Sequence, residues 1–279
     1  IQDESDMVLI GFVGFLDPPK ESARQAISAL KKHGVETVVL TGDSEGVALN
    51  VCKKVGIIVK NRLTGKEIEK MTDDELKEKV KDCHLYSKLS PLQKQRIVRI
   101  YQENGNTVGY MGDGINDSPS LINSDVGVSV DTAVDIAKES ADIILLEKDL
   151  HVLLEGVKEG RHTFANLMKY IKLAASFNFG EVMSVIIASI ILPFLPETPI
   201  QLLVEGLLYD FGQLTLPLDN VDEEYLRKPK KIDIKGLKHF MLFMGPLSSI
   251  FDLIVFALVW FALKIHEVAT FQTIWFTYS

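Results

Sequence analysis

Met111-Gly112-Asp113-Gly114-Ile115-Asn116-Asp117-Ser118-Pro119 follows the apolar run Thr107-Val108-Gly109-Tyr110. An apolar strand that ends in two glycines and two carboxylates, with a Ser-Pro helix start behind it, presents its acids at the carboxyl edge of a sheet, where open α/β sheets bind ligands. Glycines let backbone approach a phosphate or an ion closely, and Asp113 and Asp117 offer hard oxygen ligands suited to Mg²⁺. The same residues would also serve a surface turn whose Asp and Asn only cap the next helix. A Ca²⁺ loop is excluded because Ile115 falls where such a loop needs an oxygen, and the glycine spacing is not that of a dinucleotide fingerprint.

Working outward, the elements on either side alternate. Met7 to Leu16 reads as a strand covered on both faces, and Asp17-Pro18-Pro19 leads into a helix with a stripe of Ala23, Ile27 and Leu30. Val35 to Leu40 is a second β-rich run. It ends in Thr41-Gly42-Asp43-Ser44 before a helix from Glu45 to Val55, a strand-turn-helix arrangement in which amides, dipole and the Thr41 hydroxyl favour a phosphate. Capping by Asp43 and Ser44 is the competing explanation. Residues 59 to 82 are polar and read as a loop plus a solvated helix over Asp73 to Lys81. His84 to Ser87 is a short strand, and after it Ser90 caps a helix that starts at Pro91 and carries Lys94 one turn in, able to reach back to the strand edge. Strands at Thr107 to Asp113, Ser124 to Val130 and Ala141 to Leu146 complete a right-handed, doubly wound parallel sheet.

Beyond residue 150 the pattern is helical and increasingly apolar, giving two domains, 1–150 and 151–279. His151 to Lys172 is amphipathic and merges into an apolar stretch; membrane spans are expected at about 171–194, 200–217 and 239–263, with another starting at 271. The loop between the second and third spans carries Arg227, Lys228, Lys230, Lys231, Lys235 and Lys238, which places it, and the sheet domain with it, on the cytoplasmic side of a cell membrane. Asn178 and Glu181, Glu205 and Asp210, and Asp252 lie within the three spans, where a carboxylate normally faces an interior, a partner or an ion path. Asp252 is the weakest of these, having no polar neighbour in sequence. Gly180, Gly206 and Gly212 would permit local unwinding so that carbonyls join the coordination. The net charge of −8 and the absence of a basic face argue against a nucleic-acid partner, and Cys52 and Cys83 read as buried thiols of a reducing compartment.

Asp17-Pro18-Pro19, Thr41-Gly42-Asp43, Pro91-Leu92-Gln93-Lys94 and Gly112-Asp113-Gly114-Ile115-Asn116-Asp117, in this order and followed by paired spans, make the chain resemble a P-type cation-transporting ATPase. Asn178-Phe179-Gly180, Leu207 to Gln213, Leu218 to Asp222 and Phe243 to Asp252 are similar to its magnesium-importing branch. The resemblance implies a haloacid dehalogenase-like (Rossmann-like) phosphorylation domain followed by an α-helical transmembrane domain, with ATP and Mg²⁺ as cofactors and Mg²⁺ as the transported cation. It implies that Thr41 and Gly42 hold the phosphoryl group and that Asp43 lies near nucleotide and Mg²⁺. Lys94 would neutralise developing charge and Lys88 would face the nucleotide. Asp113 and Asp117 would bind the catalytic metal with Asn116 shaping the site, and Asp17 and Pro18 would form a hinge.

Two departures stand out. No Asp-Lys-Thr-Gly-Thr nucleophile motif is present, so the chain reads as a piece of a longer protein that does not turn over ATP by itself. Glu181 and Glu205 stand where that branch tends to carry amides, which leaves a pump for Ca²⁺, Na⁺ or K⁺ as an alternative. A non-catalytic membrane-bound module is the reading from a different class.

Overall fold

A computed structural model describes Val8, Ile10, Gly11 and residues 20–147 and 149–278. Most of the strand expected over Met7 to Leu16, all but Val8, Ile10 and Gly11, and the hinge residues Asp17 and Pro18 lie outside the described residues. The chain divides into two compact units, Ile1–Gly156 and Val157–Ser279.

The first unit alternates strands and helices. In chain order it contains α1 (Glu21–Lys32), β1 (Val39–Leu40), α2 (Glu45–Val55), β2 (Asn61–Thr64), α3 (Gly65–Lys70), α4 (Asp73–Lys79), β3 (Cys83–Ser87), α5 (Pro91–Glu103), β4 (Gly109–Met111), α6 (Ser118–Asn123), β5 (Val126–Val130), α7 (Asp135–Glu139) and β6 (Ile143–Leu145). The described strands form two three-stranded sheets, in the orders β1-β3-β2 and β4-β5-β6, and every pairing is parallel. Parallel pairing requires crossover connections, which the intervening helices provide. Leu40 packs into the cores of both sheets, one built around Ile68, Leu76, Tyr86 and Ile97 and the other around Val98, Leu121, Val128 and Ala137.

In the segment 59–82 the helix expected over Asp73 to Lys81 is present as α4, and the rest departs from the expected loop. The segment contains the edge strand β2 and two short helices, and Ile68 and Leu76 are fully buried. Capping boxes at Thr64–Glu67 and Thr72–Glu75 start both helices. Arg96 of α5 fastens them, donating to the Ile68 and Met71 carbonyls at 2.9 and 2.7 Å and to Asp73 at 2.7 Å.

The second unit is helical. α8 (Leu150–Ile191) runs unbroken for 42 residues, followed by α9 (Pro199–Gln213), the single turn α10 (Glu223–Leu226), α11 (Ile234–Ala257) with a π turn over Leu258–Ala262, and α12 (Val268–Tyr278). Leu150–Ile191 and Ile234–Ala262 are long and apolar enough to cross a membrane. The middle segment, expected as a span over 200–217, forms a 15-residue helix and then a 3₁₀ turn at Leu216–Leu218, because Pro217 cannot continue an α-helix.

The glycines do not unwind their helices. Gly180 sits where α8 meets α11, with Gly245 as its counterpart, and a Cβ at Gly180 would lie 2.7 Å from the Gly245 carbonyl oxygen. The Gly180 carbonyl already accepts hydrogen bonds from Ser184 (2.8 Å) and Ser249 (2.7 Å). Close backbone approach, not carbonyl release for an ion, is what this glycine provides. Gly206 and Gly212 likewise lie within continuous α9.

Candidate functional site

Thr41-Gly42-Asp43 leaves the carboxyl end of β1 and is pinned to the turn that leaves β3. Thr41 N–H donates to the Tyr86 carbonyl (2.9 Å), Leu89 N–H to the Thr41 carbonyl (3.1 Å) and Lys88 N–H to the Asp43 carbonyl (3.0 Å). The Thr41 hydroxyl oxygen accepts from Asp43 N–H at 3.1 Å, which leaves its proton to donate outward. Ser44 stands at the N-cap of α2 without a side-chain capping bond, so capping does not account for this loop. Lys88 has a left-handed backbone (φ 53°), a conformation a β-carbon disfavours and that clusters at functional sites. The turn also crowds Gly65, where a Cβ would meet the Lys88 carbonyl.

The Gly112–Asp117 turn follows β4. The Gly112 carbonyl accepts from buried Ser129 (2.9 Å), and the Asp113 carbonyl from Val134 N–H (3.2 Å), so β5 and the start of α7 hold the loop from behind. A Cβ on Gly112 would lie 2.5 Å from Asp117 Cβ; only glycine lets this carboxylate fold under the turn. Asp117 Oδ1 accepts from Lys94 Nζ at 2.8 Å and from Tyr110 Oη at 2.8 Å, while Oδ2 takes only the longer Gly114 N–H at 3.3 Å. The Lys94 and Asp117 side chains are 12% and 15% exposed, so the pair is screened little by solvent. Burial alone would push the Asp117 carboxyl up, but the hydrogen bonds from Lys94 and Tyr110 and the lysine charge outweigh it and hold the group below the usual aspartate range. Burial next to that anion pushes the Tyr110 phenol up, which keeps it a protonated donor.

The expected residues thus sit in the turns that follow β1, β3 and β4 and in the first turn of α5. Lys94 joins Asp117 directly, whereas Lys88, Gly42, Asp43, Asp113 and Asn116 are exposed around the loops. Tyr110 was not expected here, since in sequence it reads only as another apolar position of a strand.

The second unit holds a different constellation. Glu181 and Ser184 of α8, Glu197 of the following turn, Glu205 of α9, Ser248 and Asp252 of α11 face a cavity of about 410 Å³. Carboxylate oxygens of Glu181, Glu197 and Glu205 lie within 4.8 Å of one another. Glu197 is only 3% exposed, and Glu205 Oε2 is sealed from solvent without a hydrogen-bond partner. Asp252, expected to be the weakest of the intramembrane acids, accepts from Ser184 at 2.6 Å and lines the cavity. Its partner is 68 residues away in sequence, which is why it reads as isolated. Asn178 and Asp210 are not brought to this cluster: Asn178 donates to the Ala174 carbonyl of its own helix (2.9 Å), and both are exposed.

Residues 3–125 match the model of the haloacid dehalogenase-like hydrolases, and residues 194–279 match that of the cation-transporting ATPase C-terminus. A magnesium-transporting ATPase, P-type 1, of Salmonella typhimurium is 52% identical over 99% of this chain and 31% of its own length. Calcium-transporting ATPase 1 of Bacillus cereus is 34% identical over 91% of this chain and 29% of its own. The solved catalytic domain of the CPx-ATPase CopB-B is similar at TM-score 0.39 and 31% identity, covering 49% of this chain and 44% of that one. The chain belongs to the P-type cation-transporting ATPases: a haloacid dehalogenase-like α/β domain followed by a helical membrane domain. It spans about a third of the length of the curated relatives it matches.

Proposed function

We propose that this chain supplies the phosphoryl-handling and cation-binding portions of an ATP-driven Mg²⁺ pump, in which formation and hydrolysis of an aspartyl phosphate drive transport across the cell membrane. The observation that carries the reading is the buried Lys94–Asp117 pair, which joins the first turn of α5 to the glycine turn that follows β4. The donor set fits Mg²⁺: Asp117 Oδ2 has only a 3.3 Å amide contact, and Asp113 adds a second hard oxygen ligand on an exposed loop. When bound there, Mg²⁺ supplies neutralisation of phosphoryl charge. Thr41 donates its hydroxyl proton to a phosphoryl oxygen, the Gly42 and Asp43 segment gives the backbone close approach, and Lys94 turns from Asp117 toward the charge that develops. Phosphoryl transfer is mostly such positioning and charge stabilisation. Lys88 faces the nucleotide and Asn116 shapes the rim.

Glu181 and Glu205, with Glu197 and Asp252 added by the geometry, form the transported cation's site, and three carboxylates within 4.8 Å suit one hard divalent ion. The basic 227–238 loop orients the phosphorylation domain to the cytoplasm of a multi-pass protein. The test is ATP-driven cation movement by the full-length protein in vesicles with Mg²⁺, Ca²⁺, Na⁺ or K⁺ offered singly. Mg²⁺ is expected to move, and an Asp113→Ala protein that hydrolysed ATP normally would remove the metal role.

A further inference from the structure

Asp117 Oδ1 accepts two donors that differ in mobility. Lys94 Nζ ends a flexible four-carbon stem on α5, whereas Tyr110 is fixed in β4, 8% exposed, with its ring packed among Val98, Leu121 and Val128. A lysine ammonium drawn to a phosphoryl group divides its donors between that group and its carboxylate partner. The Lys94 bond to Oδ1 then weakens, and the position of that oxygen depends on the donor that stays. The phenol is the one group at 2.8 Å from Oδ1 that has no reason to leave.

Resting on the phosphoryl-handling role proposed above, we infer that Tyr110 is a positioning residue: its hydroxyl holds Asp117 in register while Lys94 transfers from the carboxylate to the phosphoryl group. The pair is a two-donor handover. In the resting state the phenol is partly redundant, because Lys94 occupies the same oxygen. In the phosphoryl-bound state it is the donor that remains on Oδ1, while Oδ2, which takes only the 3.3 Å Gly114 amide, is the oxygen offered to Mg²⁺. The cost of removing it therefore falls on the bound state.

The experiment is Tyr110→Phe in the full-length protein, which removes one hydroxyl and keeps the packed ring. Binding of orthovanadate, a phosphoryl analogue, is measured by protection from trypsin, and thermal unfolding is measured without it. The expected result is orthovanadate binding weakened about tenfold, the effect of losing one hydrogen bond to a charged group. Unfolding temperature without orthovanadate should move by less than about 3 °C. In an Asp117→Ala background, which removes the acceptor and weakens binding by itself, Tyr110→Phe should add nothing further. Unchanged vanadate affinity in Tyr110→Phe overturns the inference. So does a collapse of stability without vanadate, which would make the phenol a plain structural support, or a further loss in the Asp117→Ala background. Failure of the unaltered protein to bind orthovanadate would instead remove the underlying phosphoryl-site reading.

Discussion

The two units treat carboxylates in opposite ways. In the first, Asp117 is matched by a lysine and a phenol from the same unit, each at 2.8 Å. In the second, Glu181, Glu197, Glu205 and Asp252 face one cavity, and among the described residues no lysine or arginine lines it. A paired carboxylate is a finished piece of structure whose partner can be lent to a substrate. A group of like-charged carboxylates is stable in an apolar surrounding only with protons or a cation between them. On the proposed function, the first site exchanges partners within the protein and the second takes its partner from outside.

Breaking the first arrangement gives the largest effect. Lys94→Ala in the full-length protein should lower ATP hydrolysis by about 10²–10³-fold, the scale for losing one preorganised electrostatic contact in a transition state, as measured by steady-state turnover at saturating ATP. Glu205→Gln keeps the shape of the second site and removes one charge; the apparent affinity for transported Mg²⁺ should fall about tenfold, since charge count tunes divalent-ion affinity. Cation-concentration curves for transport check this, and an unchanged curve would take Glu205 out of the site.

Gly180→Ala probes what holds the cavity wall. Its Cβ would lie 2.7 Å from the Gly245 carbonyl, so α8 and α11 must separate, at an expected cost of about 1–3 kcal/mol in stability with loss of the Ser249–Gly180 hydrogen bond. The smallest effect is electrostatic and on the surface. Asp73 is held below the usual aspartate range by its hydrogen bond to Arg96 and the charges of Arg96 and Arg99. Because that value is depressed in the folded state, the stabilisation is present above the ordinary aspartate pKa of about 3.9 and disappears as pH falls through the folded-state value. Asp73→Asn should therefore lower the unfolding temperature slightly at pH 7 and leave it unchanged at strongly acid pH, as followed by circular dichroism.

The Lys94–Asp117 pair was legible because each element is local: a strand, a glycine turn and a helix start fall within ten residues, with Asp117 closing the turn after β4 and Lys94 in the first turn of α5. What escaped was set by tertiary packing. β2 has one buried apolar residue, Leu63, between exposed Arg62 and half-buried Thr64, too little to show a period. Tyr110 reads as core until its hydroxyl is seen at Asp117. The second site is assembled from positions 181, 197, 205 and 252, so sequence spacing could single out its acids but not choose among them. Glu197 carried one unused signal, an acid set between Pro196 and Pro199 in an apolar exit turn. Asn178 and Asp210, expected beside Glu181 and Glu205, are exposed and are not among the residues that line the cavity.

The most direct measurement is ATP-driven Mg²⁺ movement into or out of vesicles by the full-length protein, compared among the unaltered form, Glu205→Gln and Lys94→Ala. The account predicts transport that needs higher Mg²⁺ in Glu205→Gln and is lost at every Mg²⁺ concentration in Lys94→Ala. Transport by Glu205→Gln with an unshifted Mg²⁺ dependence, or by Lys94→Ala at an undiminished rate, would contradict it.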